Sequence, residues 1–126
     1  MRVIIPGKFS SLNQYIEANR ERHGIVANNM KKRDQKKIVE HLPHGVRFKR
    51  KVFIEYHFYE PNAKRDKDNI SGYFHKIFQD SLVHAGLIEN DGWKNIEGMS
   101  DYYHIDQKWP RVEVYIEEVG NGRKKK

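Results

Sequence analysis

A chain of 126 residues with 37% hydrophobic, 33% charged and 12% aromatic content fits one polar, folded domain with a modest core rather than a disordered segment. Its lack of cysteine excludes a disulfide framework, a thiolate zinc site and a cysteine nucleophile, and no apolar run is long enough for a signal peptide or a bilayer span, so a cytoplasmic protein without membrane contact is expected. The formal charge of +7 is split into a basic residue range 1–60 (13 Lys/Arg against 6 Asp/Glu), an acidic range 61–122 (7 against 11) and a basic end from Arg123 to Lys126, a distribution that suits a polyanion on one half and a bound cation on the other.

Val3, Ile4 and Ile5 form a short opening strand that Pro6-Gly7 ends. Ser10, Ser11 and Asn13 are placed to cap a first helical stretch containing Tyr15, Ile16 and Ala18. Asn28 to Leu42 reads as a basic helix with a narrow apolar stripe at Met30, Ile38, Val39 and Leu42, closed by Pro43-His44-Gly45. From Val46 to Tyr59, β-branched and aromatic residues alternate, with Val52, Ile54, Tyr56 and Phe58 on one face, as in a central strand. Pro61-Asn62 breaks it, and a polar loop leads to Asp68, a plausible N-cap. Ile70, Tyr73, Phe74, Ile77, Phe78, Leu82 and Ala85 keep helical spacing over about four turns, and Gly86 ends this clearest helix. Two strand candidates follow, one around Trp93 to Ile105 and one at Val112, Val114 and Ile116, with Gln107 to Pro110 turning between them. The order strand, helix, strand, helix, strand, strand predicts a single α/β or α+β domain over 1–120, a mixed sheet packed against helices, with a basic flexible tail at 121–126.

Chemistry concentrates around Asp66 and Asp68. Two residues apart in an extended segment, both carboxylates can face one volume. Asp91 follows the helix, and spacing alone does not fix whether it returns to the same end. Three carboxylates would suit hard divalent cations such as magnesium, which activate water at a phosphodiester. The competing reading is structural: Asp-x-Asp-Asn before a helix is a common capping pattern and Asn90-Asp91-Gly92 a common tight turn. Lys76, beside the apolar stripe, could reach a scissile phosphate or simply extend into water, with Asp80 one turn on as its partner. His75 and His84 read as exposed helix residues, and His57 as a packed or sheet-face residue.

The segment Lys64-Arg-Asp-Lys-Asp-Asn69, the amphipathic helix after it, Asp80-Ser-Leu-Val-His-Ala-Gly86 and Asn90-Asp91 resemble the RusA family of Holliday junction resolvases, phage and prophage type. The likeness is strongest over 64–96 and extends more weakly to the N-terminal turn and to Pro110-Arg-Val-Glu-Val. It implies a RusA-like nuclease domain working as a homodimer in DNA recombination and repair, cutting four-way junctions by paired nicks. It also implies Mg2+, with Mn2+ substituting, held by Asp66, Asp68 and Asp91. The family's helix lysine falls where this chain has Gly72, and Lys76, one turn along, is the nearest candidate for that catalytic role. In this reading Lys31, Lys32, Arg33 and Lys36, the cluster Arg47, Lys49, Arg50 and Lys51, and Lys64, Arg65 and Lys67 beside the aspartates are the DNA phosphate contacts. Three alternatives remain: a nuclease for other DNA substrates such as flaps, forks or plain duplex, a non-catalytic nucleic-acid-binding module, and a protein-interaction domain with a solvated basic face.

Overall fold

The computed structural model describes residues 1–120, so the basic end from Arg123 to Lys126 lies outside the described residues. Eight elements follow one another: β1 (Arg2–Pro6), α1 (Leu12–Asn19), a 3-10 turn (Arg22–Gly24), α2 (Ile25–Glu40), β2 (Val52–Glu60), α3 (Lys67–His84), β3 (Ile96–Ile105) and β4 (Arg111–Glu118). The fold is α+β, a mixed four-stranded sheet in the order β1-β4-β2-β3. β4 runs antiparallel to both β1 and β2, whereas β2 and β3 are parallel, so α3 is the crossover of a β-α-β unit.

Alternation decides which face is covered. Val52, Ile54, Tyr56 and Phe58 of β2 are buried on one face, in register with Ile116, Val114 and Val112 of β4 and beside Val3 and Ile5 of β1. Against them α3 lays Ile70, Tyr73, Phe74, Ile77, Phe78 and Leu82, the stripe expected from its spacing. Phe74 meets Tyr56 and Phe58 edge to face, at centroid distances of 5.9 and 5.6 Å. α1 and α2 fill the remainder, with Ala18, Ala27 and Ile38 buried.

Local boundaries show where context overrides pattern. α1 starts at Ser11, whose hydroxyl accepts from the Gln14 amide while the Gln14 side chain accepts from the Ser11 N–H, a closed capping box. α2 begins three residues earlier than its stripe suggests, because Gly24 (φ +84°) supplies the left-handed residue that turns the chain into it. The strand expected from Val46 begins only at Val52. Before it, the Phe48 amide bonds the Leu87 carbonyl and the Lys49 and Arg50 amides bond the Glu118 carboxylate, so these donors are spent outside the sheet. Likewise β3 starts at Ile96, not Trp93: the Asn95 and Ile96 amides both bond the Gly92 carbonyl, which folds 92–95 into a turn. Asp68 lies inside the first turn of α3, and the N-cap position belongs to Asp66. Among the described residues, no helix is long and apolar enough to cross a membrane.

Candidate active site

β2 delivers the chain to the loop 61–66, and a clamp fixes that loop. Arg65 Nη2 and Nε donate to the two oxygens of buried Glu60 at 2.9 and 3.1 Å, and its Nη1 donates to the Phe9 carbonyl at 3.0 Å. The guanidinium expected on phosphate is thus committed to holding the turn into α3. Asp66 and Asp68 emerge from this turn exposed. Although Asp66 stands at the N-cap with extended backbone (φ −68°, ψ 152°), its side chain makes no capping bond. Neither carboxylate forms a hydrogen bond or ion pair with a described residue, so capping does not account for Asp66, while Asp68 sits in the first turn of α3, where an acid favours the helix in its own right. Two outward-facing hard oxygen donors at a helix N-terminus fit magnesium by their chemistry.

Around this end the structure gathers residues from three elements. An open cleft of about 470 Å³ is lined by Lys8, Phe9, Ser10, Ser11, Gln14, Arg33, Arg65 and Asn69, which brings two of the expected phosphate contacts next to Asn69, the residue after Asp68. Arg33 Nη2 donates to Ser10 Oγ at 3.2 Å, and its Nε pairs with buried Asp34 at 3.1 Å. Lys64 and Lys67 are exposed, and Lys67 Nζ lies 5.7 Å from the Tyr103 ring centre. Sequence reasoning had no means of adding Lys8, because its partners in the cleft are distant in the chain.

A polar seam missed by the sequence runs between α3 and the edge strand β3. His75 Nε2 and Asp101 Oδ1 are 2.7 Å apart and both side chains are about a quarter exposed, so His75 is a paired residue and not the free helix-surface histidine expected. Tyr103 donates to Ser71 Oγ at 2.9 Å; burial, then the negative charges of Asp101 and Asp68, hold its phenol above the ordinary range. The hidden signal is that Asp68, Ser71 and His75 share one face of α3, while Asp101 and Tyr103 share one face of β3.

Asp91 is elsewhere. α3 is 18 residues long, about 27 Å, and leads away from the Asp66 end before β3 restarts beside Val52. Asp91 accordingly lines a separate open cleft of about 410 Å³ with Gln35, Asp80, Val83, His84 and Asn90. Lys76 Nζ is 3.6 Å from Asp80, two-thirds exposed. At Gly72 an added Cβ would meet Leu12 Cδ2 at 3.1 Å, a tight contact that the Leu12 side chain would relieve only by shifting a few tenths of an ångström. Lys32 and Lys36 line a third cleft with Gln35 and His84 and so belong to the Asp91 end, and Lys31 is partly exposed on the same helix. Within one chain, then, Asp66 and Asp68 stand two residues apart at the start of α3, where Asp68 is helical and not extended, while Asp80 and Asp91 line one cleft and Asp91 lies beyond the far end of α3. Among the described residues, no three acidic or histidine side chains converge closely enough to hold a metal ion. Neither the protein-family models nor the curated proteins compared with this chain include a match.

Proposed function

We propose that this protein is a divalent-metal-dependent endodeoxyribonuclease of the resolvase type, which cuts branched DNA, four-way junctions above all, by paired phosphodiester hydrolysis during recombination and repair in the cytoplasm. The observation that carries the reading is the pair Asp66 and Asp68: exposed, two residues apart, making no hydrogen bond or ion pair with a described residue, and next in the chain to Arg65 and Asn69, which line a cleft with Lys8 and Arg33. Asp66 and Asp68 would hold Mg2+ or Mn2+. A divalent cation there supplies Lewis-acid stabilisation of charge developing at a phosphodiester. The exposed lysines Lys64 and Lys67 would hold the flanking phosphates, a contact that positions DNA without reading sequence.

The separation of Asp91 has a consequence for this reading. Asp91 would reach the Asp66 end from a second copy, and a twofold pair with the Asp91 end of one chain against the Asp66 end of the other would build two identical sites. Such a homodimer suits the two symmetric strands of a four-way junction. Lys76, beside Asp80, would then act at the same shared sites. The same separation favours, as a second reading, a DNA-binding module without catalysis.

The test is magnesium-dependent nicking of a labelled four-way junction by wild type, Asp68→Asn, Asp91→Asn and an equimolar mixture of the two variants. Both variants should be inactive, and the mixture should regain activity, because a mixed pair carries one intact shared site. Inactive variants whose mixture stays inactive would place each site within one chain. Tight junction binding with no cleavage in magnesium or manganese would establish the non-catalytic reading.

A further inference from the structure

Trp93 is 92% exposed, an unusual state for a residue type that is highly buried on average. It does not sit on a slack loop. The turn beneath it is braced by Gly92 N–H to Asn90 Oδ1 at 2.9 Å, Asn95 N–H to the Gly92 carbonyl at 3.1 Å, and Val52 N–H to the Asn95 carbonyl at 2.9 Å, which ties it to the first residue of β2. The indole is therefore held out into solvent by fixed backbone, so little further ordering is needed to use it.

Its surroundings are charged, not apolar. Lys94 follows it directly, and Asn95 lines an open cleft of about 370 Å³ with Arg47, Phe48, Lys49 and Glu89. Arg47, Lys49, Arg50 and Lys94 are all exposed at this end of the sheet. A tryptophan that anchors a protein partner sits within an apolar, water-excluding surround. A planar ring with Lys94 next to it and with Arg47, Lys49 and Arg50 exposed at the same end of the sheet, among the acids Glu89, Asp91 and Glu97, instead matches a nucleic acid, whose bases offer π-faces and whose backbone offers phosphates.

We propose that Trp93 is a base-stacking residue that takes an unpaired nucleobase of DNA, with Arg47, Lys49 and Lys94 on the adjoining phosphates. The ligand is single-stranded or branch-point DNA because continuous duplex covers both faces of every base, whereas a branch leaves some faces open. The inference rests on the reading that this chain binds DNA, and it adds a site for the branched feature itself. Trp93 lies two residues from Asp91, so the stacked base would mark the strand junction next to one of the candidate acidic groups.

The test uses the full chain carrying Trp109→Phe, so that Trp93 is the sole tryptophan, in metal-free buffer at fixed salt. Short oligothymidylate should quench its emission, and blunt duplex of the same length should not. Trp93→Ala should lose about tenfold in affinity for oligothymidylate and for a four-way junction with no change for duplex, while Trp93→Phe, which keeps a π-face, should retain most of it. Unchanged single-strand and junction affinity in Trp93→Ala, with DNA binding otherwise intact, would overturn the proposal. So would a blue-shifted, concentration-dependent emission before DNA is added, which would place the indole against a second copy. Absence of any DNA affinity in the wild type would overturn the DNA reading as well.

Discussion

Single side chains here divide into those spent on the fold and those left over. Asp34 is buried yet satisfied, accepting from the Tyr73 hydroxyl at 2.7 Å and pairing with Arg33, and burial together with this hydrogen bond raises the Tyr73 phenol well above its usual range. Tyr73→Phe would leave Asp34 Oδ2 with only the long 3.5 Å hydrogen bond from Arg33 Nη2 and should cost about 1–3 kcal/mol, measured by urea denaturation. Asp66→Ala should behave in the opposite way: a working N-cap aspartate is worth about 1 kcal/mol, but this side chain caps nothing, so the change should stay within about 0.5 kcal/mol. A larger loss would return Asp66 to the capping role. On the sheet face opposite the helices, His57 Nδ1 and His104 Nε2 are 2.9 Å apart, with Glu55 on the other nitrogen of His57 at 2.6 Å. Burial, then the nearby His57 and Arg111, hold the His104 imidazole below its ordinary 6.5. The unfolded chain therefore takes up its proton first as pH falls, and stability should decline as pH drops through the ordinary 6.5. His104→Asn should flatten that slope in thermal denaturation profiles.

At the scale of elements, α3 is held at both ends by means the sequence pattern does not advertise. Its beginning depends on the Arg65–Glu60 clamp, in which the side chains are 19% and 8% exposed. Arg65→Ala would strand the Glu60 carboxylate in the core and should cost about 3–5 kcal/mol, read by chemical denaturation. Under the proposed nuclease function it should also weaken magnesium-dependent cleavage by loosening the loop that presents Asp66. Its end relies on Gly86 at φ +82°, a conformation that costs a glycine little. The apolar stripe of α3 and the alternation of β2 were plain in the sequence because burial on one face imposes a period on the residues themselves. The starts of β2 and β3 were not plain: Val46 to Lys51 has strand-like composition, yet its Lys49 and Arg50 donors go to Glu118, which lies about seventy positions away in the chain.

For the molecule as a whole, the parallel pairing of β2 with β3 is the decisive feature. It forces α3 to carry the chain back along the sheet, so that the carboxylates before and after it stand at opposite ends. If the nuclease site is shared between two copies as proposed, the nicking rate per chain should fall on dilution, whereas a site complete within one chain would give a constant rate; measuring junction cleavage across a wide protein concentration range distinguishes the two. The sequence by itself determined the α+β class, the single sheet, the core stripe and the central position of β2, because periodicity is a local property that one-sided burial writes directly into the chain. Only the tertiary structure decided that Asp91 lies a helix length away, that Arg65 serves Glu60, that His75 faces Asp101 and that Trp93 stands in solvent. Those placements depend on strand order and crossover direction, which residue spacing does not encode.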